Sequence, residues 1–289
     1  MSLLLSIAML MQVGADPHVY PQAPLPAITP RLQPVKTVPP VDPMADCLAR
    51  GRDDDEAGIA YAREWLARAA TPEARAQPNQ CLGVLLSTQG DFAGAQNAFA
   101  DAIAAIPAMD AAGAVPLMAM AGNAALANND GAKALDWFDR ALSVREYDDH
   151  AARGAIMADK ARALVALHRP LDADAALTQA RTEAPGDAGV FLLSATLARR
   201  EHQLPIAQGF IETAAALNPR DPAIGLEAGV IAVLAGHDAA ARKSWNSVIV
   251  AAPDSEEART ARGYLAQLGP DTTAPLDRAA PPPTSQDSH

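Results

Sequence analysis

Aromatic residues are scarce in this chain, 4% of 289. Strand-rich folds draw on aromatic and β-branched side chains, so the shortage weighs against a sheet protein. Lysine is scarce too: Lys36, Lys133, Lys160 and Lys243 are the only four among 23 basic residues. That bias suggests a GC-rich bacterial genome. No cluster of Lys or Arg is present, and the formal net charge is −11. Phosphate binding needs a basic face, so nucleic acid is not the expected partner. The motifs HExxH, GxSxG, GxGxxG and the P-loop are all missing, which removes the readable signatures of catalysis. No catalytic residue, metal or cofactor is expected.

What is abundant is small and apolar. Hydrophobic residues make up 49% of the chain, and much of that fraction is alanine. Alanine is the best helix former and lets helices approach closely, so the expected class is all-α.

The two ends differ from the middle. Residues 3–11 form an apolar run, far short of the roughly 20 residues that span a bilayer. Small residues follow at Val13, Gly14 and Ala15, and no Lys or Arg precedes the run. Residues 1–15 are expected to be a signal peptide or short anchor that exports the protein to the bacterial periplasm or envelope. The alternative is an apolar N-terminal helix in a cytoplasmic protein. No Cys follows the run, so lipid attachment is not expected. Membrane contact is expected only through this segment, if it is not cleaved. Residues 16–43 are Pro-rich and predict an extended spacer, and 269–289 predict a disordered tail.

The middle repeats itself. Pro185, Pro219 and Pro253 are each 34 residues apart. Five residues before them stand Ala180, Ala214 and Val248, eight before them Leu177, Ile211 and Trp245, and twelve before them Ala173, Ala207 and Ala241. Pro107 has the same companions in Ala102, Phe99 and Ala95. A further unit carries Ala134, Phe138 and Ala141, with Glu146 in place of proline. Such a unit predicts two helices joined by a tight polar turn. Proline ends the second helix because it removes a hydrogen bond and clashes. The registers are 41–74, 76–109, 115–148, 154–187, 188–221 and 222–255, with a C-terminal cap helix up to 268. Insertions near 110–114 and 149–153 break the phase.

This pattern resembles the tetratricopeptide-repeat (TPR) family, whose marks are small residues at repeat positions 8, 20 and 27, a large one at 24 and proline at 32. Here they read Gly83, Ala95, Phe99, Ala102 and Pro107 in the second unit, and Gly229, Ala241, Trp245, Val248 and Pro253 in the last. The first unit is degenerate, reading Leu48, Ala60, Glu64, Ala67 and Pro72. The resemblance implies a right-handed α-solenoid of antiparallel helix pairs over residues 44–268, six repeats and a cap.

Three constellations need weighing within that frame. Cys47 and Cys81 are 34 residues apart, on first helices that should pack side by side. Helix neighbours lie about 8–10 Å apart, so the pair is either a disulfide or two buried thiols. His168, His202 and His237 recur at nearly the same interval, but stacked turns set them on the order of 10 Å apart. They cannot share a zinc ion and are expected to be turn residues. The run Asp53-Asp54-Asp55-Glu56 lacks the glycine and distal Glu of a calcium loop and is expected to cap a helix.

The resemblance also implies a concave groove lined by first-helix positions 2, 5, 9, 12 and 13. Those positions carry Gln80, Val84, Ser87, Thr88, Ala119, Asn123, Leu126, Ala158, Arg162 and Val165. They continue with Leu192, Thr196, Arg199, Arg200, Leu226, Val230 and Val233. Arg162, Arg199 and Arg200 are candidates to meet acidic groups on a ligand, with ordinary solvated arginine as the alternative. Gln80, Val84 and Asp159 stand where the family's carboxylate clamp needs other residues, so that clamp is not expected. The expected function is a non-catalytic scaffold that binds a peptide or protein segment. The alternatives are a periplasmic assembly or secretion helper holding an unfolded client, and an enzyme of TPR architecture.

Overall fold

The computed structural model describes residues 42–269. The candidate signal segment, the Pro-rich stretch up to residue 41 and the tail from residue 270 lie outside them. The described residues form helices and no strand: α1 Pro43–Asp53, α2 Asp55–Ala67, α3 Ala76–Gln89, α4 Phe92–Ala104, α5 Ala111–Ala127, α6 Gly131–Ser143, α7 His150–Ala166, α8 Pro170–Glu183, α9 Ala188–Arg200, α10 Leu204–Leu217, α11 Pro222–Leu234, α12 Asp238–Ala251 and α13 Glu256–Leu268. No single one is long and apolar enough to cross a membrane.

Local chemistry sets the helix ends. Asp54, Asp91, Asp130, Asp149, Asp187, Asp221 and Ser255 each accept from backbone N–H groups in the first turn of a helix. That satisfies donors the helix itself leaves unpaired. The acidic run at 53–56 is therefore a cap, with the Glu56 amide 2.9 Å from the Asp54 carboxylate. Before three of the periodic prolines the backbone leaves the helix: Ala184, Asn218 and Ala252 have ψ of 66°, 82° and 67°. A proline ring clashes with a helical predecessor.

The turn inside each pair is closed the same way five times. Gly90, Asn129, His168, His202 and Gly236, all at repeat position 15, have φ between 58° and 86°. The next amide donates to a carbonyl five residues back, from Asp91 to Leu86 through to His237 to Ala232. This is the Schellman closure, which needs one left-handed residue. His168 and His202 occupy it; His237 sits one residue later, so the three histidines are not equivalent positions.

Packing follows the repeat. Phe99, Phe138, Leu177, Ile211 and Trp245 are at most 2% exposed, and Ala95, Ala134, Ala173, Ala207 and Ala241 are fully buried. The residue at position 8 is matched to the large one at position 24. A Cβ on Gly83, Gly122 or Gly229 would lie 2.6, 2.5 or 2.1 Å from Phe99, Phe138 or Trp245. Where the large residue is only Leu177 or Ile211, position 8 is Ala161 or Ala195. Trp245 also donates its indole N–H to the Leu226 carbonyl at 3.1 Å, which satisfies the one polar atom it buries.

The insertions take a definite form, and one expectation is corrected. The insertions at 110–114 and 149–153 are absorbed as an extra N-terminal turn, making α5 and α7 17 residues long against 13 for α9 and α11. The first unit does not follow the expected register: Ala60, Glu64 and Ala67 are exposed, while Gly58, Ile59 and Ala62 are buried. A single residue, Asp54, joins α1 to α2, so the helices meet close to their connection. There two glycines touch, and a Cβ on Gly58 would lie 2.7 Å from the Gly51 Cα. Backbone contact replaces the small-on-large pairing of the later units. This pair is tied to the next by a disulfide between Cys47 and Cys81, both fully buried.

First helices of successive pairs approach one another: α1 with α3, α5 with α7, α7 with α9, α9 with α11, and α11 with the cap α13. Second helices do not pack on one another to the same extent. The first helices therefore form the inner face of the solenoid and the second helices splay along the outer one. A polar bridge marks the junction of α8, α9 and α10. Arg181 donates to Ser194 and Thr178 at 2.7 and 2.8 Å and lies 4.4 Å over the Phe210 ring. Burial pushes its guanidinium below the ordinary arginine range, since desolvation disfavours the charged form.

Candidate functional site

The inner face carries a row of three depressions, each between consecutive first helices. One of about 330 Å³ lies between α3 and α5, where Val84, Phe92, Phe99 and Met120 meet Asn123. A second of about 260 Å³ lies between α7 and α9, where Val165, Leu193 and Leu197 meet Arg162, Thr196 and Arg200. A third of about 330 Å³ lies between α11 and α13, built from Val230, Val233, Leu234, Trp245, Tyr264 and Leu268. Their origin is the repeat itself. In the central one, positions 5, 9 and 12 of α7 (Ala158, Arg162, Val165) face positions 6, 9, 10 and 13 of α9 (Leu193, Thr196, Leu197, Arg200).

The predicted groove residues fall into three groups. Arg162, Val165, Thr196 and Arg200 share the central depression, while Asn123 lines the first and Val230 the third. Leu192 and Leu226 are half-buried against the cores beneath and line none of the three depressions.

Arg199 departs from expectation. Its Nε donates to Glu227 Oε1 at 2.6 Å and its Nη2 to Oε2 at 3.3 Å, with side chains only 21% and 13% exposed. A guanidinium held in this two-point fashion, away from bulk water, is committed to its partner. It links α9 to α11 and belongs to the solenoid's structure. Arg162 is half committed: its Nη1 donates to Asp159 Oδ1 at 3.0 Å, and Asn123 Nδ2 donates to Asp159 Oδ2 at 2.9 Å. Arg200 is exposed and pairs with no carboxylate among the described residues.

Sequence reasoning missed the partners Asp159 and Glu227, both at repeat position 6. Asp159 lies one first helix along from Asn123 and one turn before Arg162 on α7, and Glu227 lies one first helix along from Arg199. It also missed the aromatic third depression, because Tyr264 and Leu268 come from the cap helix, outside the repeat register. Tyr264 packs on Trp245 with ring centroids 5.3 Å apart.

No His, Asp or Glu lines any of the three depressions. Two hydroxyls of the first depression are turned back onto their own helix: Ser87 donates to the Gly83 carbonyl and Thr88 to that of Leu85. Thr88 Oγ1 also lies 3.5 Å from Asp55 Oδ1.

These features define a helical-repeat solenoid with apolar-walled depressions along its inner face. Solved structures share the architecture. PilW, a type IV pilus biogenesis factor, superposes with a TM-score of 0.61 at 18% identity, over 75% of this chain and 96% of PilW. PilF of Pseudomonas aeruginosa gives 0.57 at 15% identity, over 77% and 96%. A thermophilic TPR protein of Thermus thermophilus, TTC0263, gives 0.55 at 18%, over 67% and 98%. No family model and no curated protein sequence matches the chain. The chain has the tetratricopeptide-repeat fold.

Proposed function

We propose that this chain is a non-catalytic scaffold that holds a peptide or a segment of another protein along its inner face. The observation that carries the reading is the row of three apolar depressions between consecutive first helices. Each is open on one side and sized for individual side chains. An extended or helical segment presents side chains at regular intervals, and regularly spaced apolar sites suit it. Photo-crosslinking in cells of the source organism tests this. A photoreactive side chain at Thr196 or Val233 should give adducts with a partner, and one at Asp174 on the outer helix α8 should not. Adducts from α8 alone would overturn the reading.

A narrower version is favoured by one further observation, the disulfide between Cys47 and Cys81. Disulfides persist in oxidising compartments. We therefore read the scaffold as an exported assembly helper of the bacterial envelope that holds a client before it folds or assembles. A cytosolic scaffold is the competing version. Thiol labelling of protein taken from its native compartment, beside cell fractionation, separates them. Two reactive thiols in a cytosolic fraction would remove the exported version and leave the groove untouched.

A further inference from the structure

The charges of the inner face do not cancel evenly along the row. Arg199 is neutralised by Glu227, and Asp159 is shared between Arg162 and Asn123. The outer two depressions have no charged lining residue at all. The central one has two guanidiniums, from Arg162 and Arg200, and no carboxylate in its lining. Arg200 stands exposed at its rim beside the aliphatic wall of Val165, Leu193 and Leu197. On a chain with a net charge of −11, this is a local cationic spot within an apolar strip.

From this we infer that the ligand is a segment with one acidic residue next to a bulky apolar one at its centre, and apolar anchors on either side. The inference rests on the groove reading above and adds the chemistry of its occupant. The acidic side chain is received by Arg200 and the remaining donors of Arg162, and its apolar neighbour enters the depression between α7 and α9. A polyacidic tract is disfavoured, because only the central site compensates negative charge: its cations act over a Debye length of about 8 Å, and the outer depressions have no cation in their lining.

The spacing follows from the fold. Neighbouring depressions are two repeats apart, and helices pack about 8–10 Å apart, so the sites are separated by about 20 Å. An extended chain covers about 3.3–3.6 Å per residue. The anchors therefore fall about six residues apart, and a segment of about 13 residues reaches all three sites.

The test is selection of random 16-residue peptides displayed on phage against the purified full chain, followed by anisotropy with fluorescein-labelled enriched sequences. Enriched peptides are expected to carry a central Asp or Glu beside Leu, Ile, Met or Phe. Replacing that Glu by Gln should weaken binding about tenfold, as loss of a charge-assisted hydrogen bond does. In the R162A/R200A protein the Glu and Gln peptides should bind alike. Enriched peptides without acidic preference, or a Glu-to-Gln penalty that persists in R162A/R200A, would overturn this inference and leave the groove reading standing. If no peptide is enriched on the wild-type chain, the groove reading fails and takes this one with it. Both arginines are exposed, so unchanged far-UV circular dichroism certifies that the variant is folded.

Discussion

Gly122 lies in the middle of α5, where intrinsic propensity favours alanine by about 1 kcal/mol. On propensity alone, Gly122→Ala should stabilise the protein. The packing predicts the opposite. The new Cβ would lie 2.5, 2.7 and 2.9 Å from three atoms of the Phe138 ring, which is itself fully buried. A rigid ring enclosed on all sides cannot yield without moving its neighbours, and overpacking of this kind costs about 1–3 kcal/mol. The net expectation is a loss of up to about 2 kcal/mol. For a domain of this size that lowers Tm by about 2–4 °C per kcal/mol. Gly209 in α10 and Gly263 in α13 supply the contrast, because nothing lies within 4 Å of a Cβ built at either. Gly209→Ala and Gly263→Ala should each gain up to about 1 kcal/mol. Urea denaturation followed by circular dichroism reads all three. The double variant G122A/F138L recreates the alanine-with-leucine pairing of Ala161 and Leu177, so the two changes should couple favourably in a double-mutant cycle by about 1–2 kcal/mol. Stability of Gly122→Ala equal to or above wild type would refute the reasoning that position 8 is set by the ring it faces.

Other consequences are as direct. Removing the disulfide with C47A/C81A releases a loop closed over 34 residues and should cost about 3–4 kcal/mol; limited proteolysis should then cut first within α1 and α2, and cleavage starting elsewhere would contradict the staple. Arg199→Ala leaves Glu227 mostly buried without its cation and should destabilise by about 1–3 kcal/mol, seen as a lower urea midpoint with peptide affinity retained at saturating folded protein. Loss of affinity without loss of stability would return Arg199 to the ligand site. His202→Gly relieves a left-handed residue with φ 58° and should stabilise by about 1 kcal/mol, measured by the same denaturation; a destabilised variant would mean the imidazole has a contact that outweighs the strain.

Much of the fold was legible because a solenoid is a local object. Each helix pair packs on its sequence neighbours, so the 34-residue interval, the buried alanines and the position of Phe99, Phe138, Leu177, Ile211 and Trp245 could all be read along the chain. The turn histidines yielded to the same logic, with the backbone adding that His168 and His202, but not His237, take the left-handed position. The first pair resisted because Gly51 lies on Gly58 and the large residue over both, Leu85, comes from the next pair, outside the unit's own register. The groove was half legible. Repeat positions named Arg162, Val165, Thr196 and Arg200, and the structure gathers those four in one depression.

The sequence by itself therefore determined the repeat, its helix ends and which residues share the inner face. Caps, turns and small-on-large pairs act over a few residues or one repeat length. Only the tertiary structure decided which cations remain available on that face. Arg199 and Arg200 are adjacent in the chain, yet one is locked to Glu227 on α11 and the other points to solvent. That difference depends on where the next first helix places its carboxylate, a contact 28 residues away that periodicity alone does not reveal.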